Sequence, residues 1–122
     1  MENRVFKRKI YSQMAEWKEI SKGSTALLVE GARRIGKSTI VEEFAKNEYE
    51  SYILIDFNEA SKEVKALFDD LMNMDFIFLF LQNAYNKTLH ERKSVIIFDE
   101  VQQCPKARQA IKYLVKDGRY DY

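Results

Sequence analysis

Glu30-Gly31-Ala32-Arg33-Arg34-Ile35-Gly36-Lys37-Ser38-Thr39 decides the fold. It contains Gly-x4-Gly-Lys-Ser, the Walker A pattern, and each fixed position has a physical reason. Gly31 and Gly36 let the backbone curl so that successive N–H groups converge on phosphate oxygens, helped by the positive end of a following helix. Lys37 would set its ammonium between the β- and γ-phosphates, and the Ser38 hydroxyl would be a ligand of Mg2+. The motif therefore predicts a phosphate cradle over residues 31–39, with ATP as ligand and Mg2+ as its cation. Such a loop requires a strand before it and a helix after it.

The flanking sequence supplies both. Residues 25–30 include Ala26-Leu27-Leu28-Val29, a nearly continuous apolar run of the kind that forms a parallel strand buried on both faces. Residues 38–47 place Ile40, Val41, Phe44 and Ala45 at helical spacing. Upstream, residues 6–20 carry Ile10, Met14 and Trp17 on one stripe of an amphipathic helix that Lys22-Gly23-Ser24 ends. Downstream, residues 51–57 and 94–99 read as strands, and their closing carboxylates are Asp56 and Asp99. Between them, residues 61–72 and 74–85 read as helices, although the uniformly apolar stretch 76–81 suits a buried helix or a strand. A last helix starts at Pro105 and stops at Asp117-Gly118. The order predicts an α/β fold, the three-layer parallel sheet of a P-loop NTPase.

Val95-Ile96-Ile97-Phe98-Asp99-Glu100 forms a second motif, the Walker B pattern. A carboxylate at the carboxyl end of a strand, here Asp99, faces the cation held by Ser38 and orients its water shell. Glu100 then stands where a water attacking the γ-phosphate needs a general base. An apolar strand ending in Asp-Glu is weak evidence alone and strong evidence downstream of a phosphate loop. Asp56, on the same rim, is a secondary candidate for which a turn-initiating role is the better reading. Arg33 and Arg34 either reach phosphate or a second subunit, or point to solvent. Trp17 reads first as core and second as a platform for adenine. His90 is isolated and reads as surface, and Cys104 as a small packing residue.

Composition bounds the partners. With 20 basic and 19 acidic residues among 122, the net charge of +1 gives no bulk attraction to nucleic acid or to an anionic membrane. A nucleic-acid or protein partner is not indicated by charge. One cysteine excludes an intramolecular disulfide, and the N-terminus lacks an apolar leader. The longest apolar run, six residues, falls far below the ~20 that a membrane-spanning helix needs. A cytoplasmic location and a single domain are expected, with an N-terminal helix in 1–23 and a partial P-loop core in 24–122. A GTPase is disfavoured because Asn86-Lys87-Thr88-Leu89 lacks the aspartate that would read guanine, and a small-molecule kinase because such enzymes generally lack the Asp-Glu pair.

With both motifs placed, a wider likeness is visible. Residues 30–39, 52–57 and 98–107, the last reading Phe-Asp-Glu-Val-Gln-Gln-Cys-Pro-Lys-Ala, followed by Ile111-Lys112-Tyr113-Leu114 and Asp117-Gly118-Arg119-Tyr120-Asp121, resemble prokaryotic AAA-type ATPases of the AAA_14 family. Its members usually carry a C-terminal DUF4143 domain. The resemblance implies ATP binding and hydrolysis in the cytoplasm, with Lys37, Ser38, Asp99 and Glu100 in the roles above. Members continue from the Arg-Tyr-Asp-Tyr region into another strand with a polar sensor residue, then a further strand, a helical lid and the C-terminal domain. In this class the fourth strand lies between the Walker A and Walker B strands. The chain is therefore expected to be an N-terminal fragment that hydrolyses ATP poorly on its own, with unpaired inner edges on the strands at 25–30 and 94–99. A rival expectation is a non-enzymatic remnant that binds nucleotide or a partner, its strand edges and the 76–81 cluster mediating self-association. No residue is assigned the arginine contributed by a neighbouring subunit.

Overall fold

Two strands, β1 (Ser51–Asp56) and β2 (Ser94–Asp99), pair in parallel, with Ser51 opposite Ser94 and Asp56 opposite Asp99. The computed structural model of the chain describes residues 2–29 and 37–122, with side chains for 8–29 and 39–122. Side chains alternate across a pleated strand, so each face of the pair meets a different layer of helices. On one face Val95 joins Met14 of α1 (Glu2–Ser21) and Ile40, Phe44 and Ala45 of α2 (Lys37–Glu48). On the other, Ile53, Ile55 and Ile96 are covered by Ile77, Phe78 and Leu81 of α4 (Met74–Tyr85) and by Ala107, Ala110 and Leu114 of α5 (Pro105–Asp117). The result is the expected helix–sheet–helix sandwich.

Helix boundaries follow local chemistry. The side chain of Asn73 accepts the Phe76 N–H at 3.1 Å and caps α4, which ends on Asn86 in the left-handed region. Helical geometry resolves the ambiguous 76–81 run: Ile77, Phe78 and Leu81 are buried, while Phe76 and Leu79 stay 53% and 59% exposed. Pro105 opens α5, and Gly118 closes it at φ +84°. The helix expected over 61–72 is shorter than its pattern suggested. Ser61 caps α3 (Lys62–Ala66), a 3-10 turn covers Leu67–Asp69, and Asp70 is extended, its carboxylate accepting the Met72 N–H at 2.9 Å. That local side-chain bond competes with the helix and ends it.

The structure corrects the strand expected over 25–30, of which residues 25–29 are described. They form no regular strand, and Ala26 and Leu28 are exposed, whereas Leu27 and Val29 are half-buried against the cluster around Phe44. The segment is thus covered on one face only. Its backbone is tied to the Ser21 hydroxyl through the Thr25 N–H at 3.0 Å and to the Tyr122 carbonyl through the Leu27 N–H at 3.0 Å.

Tyr122 belongs to a short extended stretch that also corrects the expected unpaired inner edges. The Asp121 N–H donates to the Ser94 carbonyl at 3.1 Å, the Ile96 N–H donates to the Asp121 carbonyl at 2.9 Å, and Asp121 bridges Val95 in parallel. The end of the chain therefore lies between the 25–29 segment and β2, pairing the amino-terminal half of that edge. Side chains fasten it there. Asp121, 5% exposed, accepts hydrogen bonds from the Tyr49 hydroxyl at 2.5 Å and from Arg92 Nη2 at 2.6 Å. Arg92 Nη1 also donates to the Gly118 carbonyl at 2.9 Å. Burial, then the bond to Asp121, pushes the Tyr49 phenol well above its usual range. Gly23, at φ +84°, closes the turn after α1 directly against Arg92, whose guanidinium takes the space that a Cβ would need.

The Tyr122 hydroxyl is buried without a hydrogen-bond partner among the described residues. An unmet buried hydroxyl is a cost that phenylalanine does not carry. Tyr122→Phe is expected to raise the unfolding free energy by about 1 kcal/mol, measured by urea denaturation.

Candidate nucleotide-binding site

β2 ends where the chemistry is expected. Its pairing with β1 carries Asp99 to the carboxyl rim of the sheet, directly opposite Asp56. Asp56 spends one carboxylate oxygen on the Asn58 N–H at 2.9 Å, and its carbonyl accepts the N–H groups of Glu59 and Ala60. It shapes the turn after β1, which is the reading favoured from sequence. Burial, followed by the charge of Asp56, raises the Tyr85 phenol.

Glu100 follows Asp99 in the left-handed region, at φ 57° and ψ 41°, and turns the chain sharply off the sheet. The Gln103 N–H closes that turn on the Glu100 carbonyl at 3.0 Å, giving a 3-10 turn over Val101–Gln103 that leads into α5. The turn brings Gln102 Nε2 to 2.5 Å from Glu100 Oε2, as donor to the carboxylate.

A cavity of about 200 Å³ lies beside this rim. Its walls include Leu27, Leu28 and Val29 before the loop, Val41 one turn into α2, and Asp99, Glu100 and Gln102 after β2. One space is thus bordered by the segment entering the loop, the helix leaving it and both acids of the second motif. Lys37 and Ser38 are the first two residues of α2, and Val41 of the same helix lines the cavity. The residues expected from sequence to form the cradle, Gly31, Ala32, Arg33, Arg34, Ile35 and Gly36, lie outside the described residues, as do the side chains of Lys37 and Ser38, whereas Thr39 is exposed. Trp17 and Met14 also line the cavity, with Trp17 Nε1 donating to Thr25 Oγ1 at 3.2 Å. His90 is exposed beside Glu50, and Cys104 is buried, both as read from sequence.

A family model described as an AAA domain matches residues 23–122. The chain belongs to that family, AAA_14. The match runs from α2 through α5 and leaves all of α1 outside it. Searches of curated proteins and of solved structures returned no match. AAA domains are nucleotide-binding modules of the ATPase type, so membership and the architecture agree on the kind of ligand.

Among the described residues no group of three or more His, Cys, Asp or Glu side chains is placed to hold a metal ion. The oxygen donors at the rim nevertheless suit a hard divalent cation that keeps most of its water, which needs few protein ligands. No helix among the described residues is long and apolar enough to cross a membrane. Two features were missed from sequence: the Gln102 contact with Glu100, and the Tyr49–Asp121–Arg92 cluster. The first lay within the Asp-Glu-Val-Gln stretch, and the second had no local signal.

Proposed function

We propose that this AAA domain binds ATP with Mg2+ and hydrolyses it in the cytoplasm, as one unit built of the helix in 1–23 and the core in 24–122. The observation that carries the reading is the shared cavity, which Leu27 to Val29, Val41, Asp99 and Glu100 border together. Backbone N–H groups of residues 31–39 receive the phosphates at the amino end of α2, where the helix dipole favours negative charge. Lys37 neutralises the β- and γ-phosphates and their developing charge. Ser38 and Asp99 are the residues that hold Mg2+, which when bound supplies further positive charge to the phosphates. Glu100 accepts the proton of the attacking water. Rim geometry supports this division of labour, because Asp99 ends the ladder on β1 whereas Glu100 departs from it.

The test is release of inorganic phosphate from ATP under single-turnover conditions, with Mg2+ or with excess chelator. Release that needs Mg2+ and is lost in Glu100→Gln is expected. Release that is insensitive to both overturns the hydrolytic reading.

A further inference from the structure

Glu100 holds a backbone conformation that side-chain-bearing residues adopt at a cost, and a cost of that kind at a candidate site calls for a physical return. The return visible here is orientation. At φ 57° the chain folds back, the Gln103 N–H closes on the Glu100 carbonyl, and the side chain of Gln102 is delivered to the Glu100 carboxylate. Continuing β2 in extended conformation would send residues 100 and 102 to one face of a strand, about 7 Å apart at the Cα. The turn replaces that separation with a direct donor–acceptor contact. Gln102 is otherwise exposed, so core packing does not dictate its placement. Cys104, the residue before α5, anchors the turn, because its N–H donates to the Val101 carbonyl at 2.9 Å and its side chain is buried.

We infer that Gln102 is a positioning residue: its side-chain amide fixes the rotamer of the Glu100 carboxylate and so sets the rate of the step that carboxylate serves. This rests on Glu100 acting as base, but the positioning itself is a separate claim about the folded chain. A neutral amide donates a hydrogen bond to the carboxylate without taking away its charge. An acid at position 102 would offer an acceptor instead and repel the base.

The experiment has two arms on the 122-residue chain. In the first, the Gln102 side-chain amide is followed by 15N NMR without nucleotide, in the parent and in Glu100→Ala, which removes the acceptor. The amide resonance is expected to shift in Glu100→Ala while that of Gln103 stays put; no response of Gln102 overturns the inference whether or not the chain hydrolyses ATP. In the second, Gln102→Ala and the isosteric Gln102→Glu are each expected to lower kcat for Mg-ATP about tenfold with KM little changed. Lowering the pH is expected to restore part of the loss in Gln102→Glu only, since a protonated carboxyl donates again. Unchanged kcat in both variants, with Glu100→Gln inactive, overturns the inference and leaves the base assignment standing. If phosphate release proves independent of Glu100, the base assignment fails, and the NMR arm alone decides whether Gln102 positions that carboxylate.

Discussion

Glu100→Gln is expected to lower single-turnover hydrolysis of Mg-ATP by about 10²- to 10⁴-fold, the range that a positioned general base contributes. ATP affinity is expected to stay within about threefold of the parent, because the base touches water and not the phosphates in the ground state. The substitution is nearly isosteric. It retains the length that reaches Gln102 Nε2 and keeps a carbonyl oxygen to accept from it. The left-handed backbone at position 100 is no less accessible to glutamine than to glutamate, so the turn into α5 survives. A matching fall in affinity would mean that the mutation disturbed the rim as a whole. Quenched-flow phosphate release together with equilibrium nucleotide binding separates the two.

The largest effect on stability is expected away from the rim. Asp121→Ala removes an acceptor from the Tyr49 hydroxyl and from Arg92 Nη2 in one step, within a region where Asp121 itself is 5% exposed. The buried phenol is left without its bond. Arg92, whose side chain is 41% exposed, regains water, so its share of the cost is screened. The sum is a loss of about 2–4 kcal/mol in unfolding free energy. Asp121→Asn, which keeps an acceptor but not the charge, is expected to cost about half as much. Denaturant titration measures both. Hydrogen exchange adds the local consequence: the amides of Asp121, Ile96 and Leu27, which bond across this stretch, are expected to exchange faster in Asp121→Ala. A loss below about 1 kcal/mol with those amides still protected would show that the backbone ladder holds the stretch without the cluster.

The ease with which each part could be read follows the range of the forces that build it. α2, β1, β2, α4 and α5 carry their own signals in apolar spacing, the Asn73 cap, Pro105 and Gly118, and the structure places them close to where those signals did. Residues 25–29 include a run as apolar as β2, yet among the described residues their one backbone–backbone bond to a neighbouring segment is to Tyr122, and composition does not reveal whether a neighbour lies alongside. The seating of Tyr120 to Tyr122 depends on Tyr49 and Arg92, the former 72 positions away from Asp121 in sequence. Asp70 shortened a predicted helix through one side-chain bond that helical spacing could not weigh. At the rim, the apolar run ended β2 at Asp99, and Glu100 is the next residue, where the chain turns off the sheet. The Gln102 contact was hidden because it requires a left-handed glutamate, a conformation that no residue in the stretch advertises.

The central claim is that residues 31–39 form an ATP cradle at the amino end of α2, and isothermal titration calorimetry of Mg-ATP against this chain and Lys37→Ala tests it most directly. The account predicts saturable binding by the parent, in the micromolar range, and a loss of at least about thirtyfold in the variant, the cost of removing the cation paired with the phosphates. Equal affinity in the two proteins, or no heat from either while both unfold cooperatively, would contradict it.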